Sequence, residues 1–156
     1  MLVNGAGTIG RFAIQSARHA GAHVTAITSP RSAQAAEWVG AHSVNPATPD
    51  PIDALIHLVP ETSPQTDRIR PGGVLISATT PATELPQGGF RANPFIVRND
   101  PTDLAGILAL TATGRLRIDI AARRPVTDLP RVHEEAENGH LPGKTLLGNE
   151  FTDPPA

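Results

Sequence analysis

Apolar and polar positions along the chain fall into two rhythms that take turns. The short apolar run Leu2-Val3 ends in Asn4 and enters Gly5-Ala6-Gly7-Thr8-Ile9-Gly10. Ile9, Phe12, Ala13, Ser16, Ala17 and Ala20 then recur at steps of three and four, which predicts a helix with one face on a sheet, stopped by Gly21. The β-branched stretch from His23 to Thr28 predicts a second strand, residues 32–39 a second helix ended by Gly40, and 41–45 a third strand. Three prolines make 46–51 a loop. Residues 52–59 are almost continuously apolar, the pattern of a strand buried on both faces of a parallel sheet, and Pro60 ends them. Ser63-Pro64 starts a short helix reaching Ile69, and Arg70-Pro71-Gly72-Gly73 turns into a fifth strand over 74–77. Residues 79–93 read as irregular and Pro94 to Val97 as a sixth strand.

Beyond that point Asp100 caps and Pro101 opens a helix in which Leu104, Ile107, Leu108 and Thr111 follow the helical period as far as Gly114. Residues 116–120 and 144–147 read as strands, and 128–138 as a helix turning Leu129, Val132 and Ala136 inward. Strands alternating with helices predict an α/β fold, a Rossmann-type doubly wound parallel sheet of about six strands with a short C-terminal α/β extension. The expected division is a dinucleotide-binding core over 1–98 and an extension over 99–156 packed on the core or on a partner chain.

The glycine run at the first strand–helix junction carries the clearest chemistry. In Gly5-x-Gly7-x-x-Gly10 the first glycine permits a tight turn, the second lets backbone approach a diphosphate, and the third lets the helix lie close to the strand. The diphosphate then rests on free N–H groups of the helix N-terminus, among Gly5, Gly7, Thr8, Ile9 and Gly10. At the end of the second strand, where a carboxylate would accept from a ribose 2′-hydroxyl, the chain has Thr28, Ser29 and Arg31, with no carboxylate before Glu37. A guanidinium beside hydroxyls suits a 2′-phosphate, so NADPH is the expected cofactor. Ser29-Pro30 is also an ordinary helix start, and the two roles are compatible. Ser77 and Thr79 end the fifth strand at the carboxyl edge where such sheets bind ligands, and join the candidate cofactor-binding residues.

Composition narrows the partners. Thirteen basic against fifteen acidic side chains give a net charge of −2, and no basic stripe is visible, so nucleic acid is not expected. No apolar run approaches the roughly 18 residues of a membrane span, and no signal peptide is evident. The absence of cysteine removes disulfides and thiolate metal sites and makes the cytoplasm the expected compartment. There is no tyrosine, which removes one common catalytic acid. His57 at a strand end is a weak candidate for a general acid, a structural role being commoner there. His133 and His140 match no metal-ligand spacing, and Glu134, Glu135 and Glu137 read as a solvated helix face.

The order of landmarks is itself informative. It begins with the opening Leu2-to-Gln15 segment, Ser29-Pro30-Arg31-Ser32, Gly40-Ala41 and the run from Ile69 to Ser77. Gly114-Arg115-Leu116, the stretch from Pro125 to His133, and Gly139 to Leu147 come after them. This order resembles the C-terminal half of medium-chain dehydrogenase/reductases, most closely the zinc-free quinone oxidoreductase branch. The resemblance implies hydride transfer from NADPH to quinones, enones or related carbonyl compounds. It also implies a barrel-like catalytic domain ahead of the first strand, whereas this chain starts at that strand. Where the family carries Asp-x-x-Gly after the fourth strand, this chain has His57-Leu58-Val59-Pro60, a departure beside the nicotinamide ribose. Segments that in the family return to the catalytic domain would leave edges and apolar faces exposed, so a homodimer or a separate partner chain is expected. Three functions fit these residues: an NADPH-dependent reductase working as a dimer or with a partner, a repurposed cyclase or isomerase using the crevice without redox chemistry, and a non-catalytic nucleotide-binding module.

Overall fold

The structure, a computed structural model, describes residues 1–45, 51–60 and 65–151. Six strands form one parallel sheet: β1 (Leu2–Asn4), β2 (Thr25–Ile27), β3 (Ser43–Val44), β4 (Ile52–His57), β5 (Ile69–Ser77) and β6 (Arg91–Pro94). Their spatial order is β3-β2-β1-β4-β5-β6, which is the Rossmann order, with β1 and β4 at its centre. Between the strands run α1 (Thr8–His19) and α2 (Pro30–Trp38); α3 (Pro101–Ala112) comes after the sheet.

Side chains of β1 alternate between two cores because a strand has a period of two. Val3 joins Ile14 and Ala17 of α1 and Ala36 of α2 on one side. Leu2 joins Leu55, Leu75 and Leu85 on the other. The expected helix, strand and turn positions hold through β4. Residues 46–50 of the expected loop and Ser63-Pro64 of the expected short helix lie outside the described residues. The described part of that helix is a single 3₁₀ turn, Thr66–Arg68.

Four expectations are corrected. The buried face of α1 is Gly10, Ile14 and Ala17, and Ile9 is 70% exposed. Gly10 sets this rotation, since it lies hard against the backbone of the preceding turn. The turn at 70–73 is a bulge inside β5, where the pairing with β4 shifts between Ile52↔Ile69 and Ala54↔Val74. The sixth strand lies three residues earlier than the apolar run Phe95-Ile96-Val97: Arg91–Pro94 pairs with Val74–Ser77, while those three side chains are exposed. Hydrophobicity pointed to the wrong residues because this is an edge strand, held by backbone pairing and half-buried Ala92 and Pro94. Residues 116–120 form no strand. The Arg117 N–H donates to Gln15 Oε1 (2.7 Å), and Gln15 Nε2 donates to the Arg117 carbonyl (3.0 Å), so a side chain takes the place of a ladder partner.

Contacts divide the chain into two compact units, Met1–Arg117 and Ile118–Ala156, later than the 98/99 boundary expected from sequence. α3 and the buried Leu116 belong with the sheet; the N–H groups of Arg115 and Leu116 both donate to the Leu110 carbonyl. The second unit holds a two-stranded parallel sheet of β7 (Ala122–Pro125) and β8 (Thr145–Gly148), with α4 (Leu129–Glu137) between them in sequence. In α4 only Val132 is buried; Leu129 and Ala136 are exposed, against expectation. Glu135 is half-buried rather than solvated, because its carboxylate accepts from Arg124 Nη1 (3.0 Å) and Arg131 Nε (3.1 Å). The Arg124 hydrogen bond, foremost among its neighbours' effects, holds the Glu135 carboxyl below the usual range.

A histidine pair closes the edge of the sheet. His23 and His42 stack at 3.9 Å between ring centroids, and His42 Nδ1 accepts from the Val24 N–H (2.9 Å). Desolvation, then the charges of His23 and Arg18, keeps the His42 imidazole below its ordinary value. The unfolded chain therefore takes up this proton first as pH falls. Stability is full above the ordinary histidine range and declines as pH drops through it. His42→Gln is expected to flatten the dependence of the denaturant midpoint between about pH 8 and pH 5, where carboxylates stay mostly ionised.

Candidate nucleotide crevice

The carboxyl ends of β1, β2 and β4 enclose a crevice of about 540 Å³. Its floor is the glycine turn. Gly5 has φ +102°, a left-handed conformation, and its N–H donates to the Ile27 carbonyl (2.9 Å), so the turn continues the β1–β2 ladder before reversing. A Cβ on Gly5 would also meet Val59 Cγ1 at 2.7 Å. Gly7 caps α1 and lines the crevice, and a Cβ there would meet nothing within 4 Å. Gly10 is the reverse case: its Cβ would stand 1.8 Å from the Gly5 carbonyl oxygen. The tight turn at Gly5 and the close helix–strand approach at Gly10 are what their spacing predicts, and Gly7 leaves the crevice floor open. No side chain caps α1 and no acidic residue lies in its first turn, so the positive end of the helix faces the crevice without a competing anion.

Thr28 and Ser29 line the opposite wall, as expected, together with Ser32 on the first turn of α2. Asn45, which sequence reasoning passed over, fixes this wall. Its Oδ1 accepts from the Thr28 N–H and its Nδ2 donates to the Thr28 carbonyl, both at 2.8 Å. Asn45 itself sits at φ +46°, a conformation asparagine tolerates better than most residues. Arg31 is exposed at the second position of α2, one residue from the crevice wall. Ser29 takes the N-cap position with Pro30 at the first helical position, but its hydroxyl makes no cap bond and remains on the crevice wall. Thr8 and Ile9 are exposed on the opening turn of α1.

The structure does not bring Ser77 and Thr79 into this lining. Ser77 is 1% exposed, and its Oγ accepts from the N–H groups of Thr79 (3.3 Å) and Thr80 (3.1 Å). His57 Nδ1 hydrogen-bonds to this Oγ at 3.0 Å and lies 3.2 Å from Thr79 Oγ1. Thr79 Oγ1 donates to the Val59 carbonyl (3.1 Å). His57 is fully buried at the end of β4. Its ring ties the ends of β4 and β5 together, beneath the Val59-Pro60 segment that forms the third wall. Val59 and Pro60 belong to the segment that the resemblance sets beside the nicotinamide ribose, and they line the crevice; Asn4 lines it too without having been singled out, although it is the polar residue that ends an otherwise apolar strand.

A family model described as zinc-binding dehydrogenase matches residues 21–147, most of the chain. The chain belongs to the zinc-binding dehydrogenase family. No curated protein matches it by sequence. Among solved structures, a quinone oxidoreductase from Coxiella burnetii superposes with a TM-score of 0.79 at 24% identity, over 94% of this chain and 51% of that one. An acetophenone reductase from Geotrichum candidum, solved with NAD, gives 0.75 at 23% identity over 94% and 47%. A mycobacterial protein complexed with NADPH gives 0.71 at 17% identity over 94% and 55%. The chain spans about half the length of these relatives, and at these identities the likeness establishes the fold. Family and fold place this chain with the C-terminal domain of the medium-chain dehydrogenase/reductases, as the landmarks implied. The family's description names zinc, but the sequence has no cysteine, and among the described residues no three His, Asp or Glu side chains gather. The described residues of this zinc-binding dehydrogenase domain do not fit a zinc site. Among the described residues no helix is long and apolar enough to cross a membrane.

Proposed function

We propose that the crevice binds NADPH and that the chain acts in the reduction of a quinone or enone. The observation that carries this reading is the contrast between Gly7, open to the crevice, and Gly10, sealed against Gly5. A turn that receives a diphosphate accounts for both. The N–H groups of Thr8 and Ile9 hold the diphosphate, and Thr28, Ser29 and Ser32 the adenosine ribose, with Arg31 beside its 2′-phosphate. The family relatives solved with NAD and with NADPH support a nicotinamide nucleotide in this place. The bound cofactor supplies the hydride; this chain supplies orientation and a dry wall of Val59 and Pro60. His57 holds β4 to β5 and acts as a positioning residue. Titration of both nucleotides tests the 2′-phosphate assignment: Arg31→Ala is expected to weaken NADPH about tenfold and NADH hardly at all. Equal losses would refute it.

A second reading is a cyclase or isomerase that has kept the crevice and dropped redox chemistry. The apolar Val59-Pro60 wall favours it, because a polar partner for the nicotinamide ribose is expected there by resemblance. Oxidation of bound NADPH by a quinone or enone panel decides for the reductase; tight binding with no oxidation decides for the alternative or for a non-catalytic module.

We also propose that a second copy of this chain, or a separate partner, covers the apolar face next to β6. Leu104 and Leu108 of α3 are 58% and 56% exposed, and Phe95, Ile96 and Val97 more so. Large apolar side chains exposed in this number support a docking surface. Light scattering at micromolar concentration is expected to give a mass above that of one chain, and a monomer would overturn the homodimer.

A further inference from the structure

At the ends of α1 and α2 the structure forms a second cavity, of about 350 Å³, that the nucleotide reading does not use. Arg18 and His19 reach it from the last turn of α1, Trp38 from the last residue of α2, and Arg115 and Arg117 from the segment after α3. Packing and hydrogen bonds position the arrangement. Buried Leu116 pins its segment, so its two neighbours project outward, and the Gln15 carboxamide grips the Arg117 backbone from both directions. Gly40, at φ +99°, leaves room for Arg18: a Cβ there would lie 3.3 Å from Arg18 Nε. The Arg117 guanidinium lies 5.4 Å from the Trp38 ring centroid, and Arg115 contacts His19 Nε2.

Three guanidiniums share this cavity, and among the described residues none of them pairs with a carboxylate. Arg18 and His19 alone would be accounted for by the negative end of α1. Arg115 and Arg117 belong to another segment, lie on no helix and have no such cause. In a chain whose net charge is −2, three cations held together at a cavity create a local positive potential that favours an anion there. We infer that this cavity binds a small phosphorylated compound, its phosphoryl oxygens taken by the remaining N–H donors of Arg115 and Arg18, whose other donors contact His19 and His42, and its body lying against Trp38.

Trp38 is the chain's single tryptophan, so its emission reports on this cavity alone. Inorganic pyrophosphate is the probe, titrated at constant ionic strength into the parent and into Gly7→Val, which blocks the crevice described above. A saturable change in tryptophan emission, the same in both, is expected. Arg115→Gln should weaken it about tenfold with the melting temperature unchanged, and Arg117→Lys, which keeps the charge but loses the fork, should weaken it less. No saturable change in the parent, or equal affinity in Arg115→Gln, overturns the proposal. Loss of the signal in Gly7→Val alone assigns the anion to the crevice and overturns it too.

Discussion

Gly7→Val is expected to weaken nucleotide binding about a hundredfold while leaving the fold standing. Gly7 has φ −69° and ψ −162°, which a β-branched residue adopts without strain, and a Cβ there meets no atom within 4 Å. The stability cost is therefore limited to the weaker N-cap, about 1 kcal/mol. The added methyl groups would stand in the crevice where diphosphate oxygens must approach the first N–H groups of α1. Losing two such charge-assisted bonds, at roughly 1.5 kcal/mol each, weakens binding by about a hundredfold. Denaturant unfolding and nucleotide titration on the same preparation check both halves. A variant that binds as the parent does would place the ligand elsewhere.

Gly10→Ala should do the opposite and destabilise the domain. Helix propensity on its own favours alanine by up to about 1 kcal/mol. Here the new Cβ would lie 1.8 Å from the Gly5 carbonyl oxygen and 2.8 Å from its carbon, both backbone atoms of the turn itself. No rotamer change relieves that clash, so α1 must move away from β1 and break the contacts of Ile14 and Ala17 with Val3. The overpacking term wins, and a net loss of about 3 kcal/mol is expected. For a domain of this size that lowers the melting temperature by roughly 6–12 °C. An unchanged or raised melting temperature would mean that helix and strand are not in the contact described. Neighbouring glycines, three residues apart, thus separate binding from folding.

These two residues also show what the sequence made legible. Glycine spacing, strand–helix alternation and the apolar runs of β1 and β4 were enough for the sheet and for the floor of the crevice, because each is set by local backbone geometry. Where tertiary contacts decide, local pattern misled. Phe95, Ile96 and Val97 looked like a strand, yet β6 is the less apolar segment before them, chosen by its pairing with Val74–Ser77. Leu116 to Ile120 had the apolar alternation of a strand, but a glutamine 102 positions earlier captured the Arg117 backbone. Ser77 sat at the right edge of the sheet and proved to face inward, holding His57, a pairing across 20 residues that no spacing rule reveals. Asn45 escaped notice for the same reason: its contribution is two hydrogen bonds to Thr28, 17 positions away.

The account rests on a nucleotide diphosphate at the first turn of α1, and titration of NADPH into the parent protein and Gly7→Val, monitored by nicotinamide fluorescence, tests it most directly. Saturable binding below millimolar concentration in the parent, weakened about a hundredfold in Gly7→Val, is the predicted result. No binding in the parent at millimolar NADPH, with the protein folded, would contradict it.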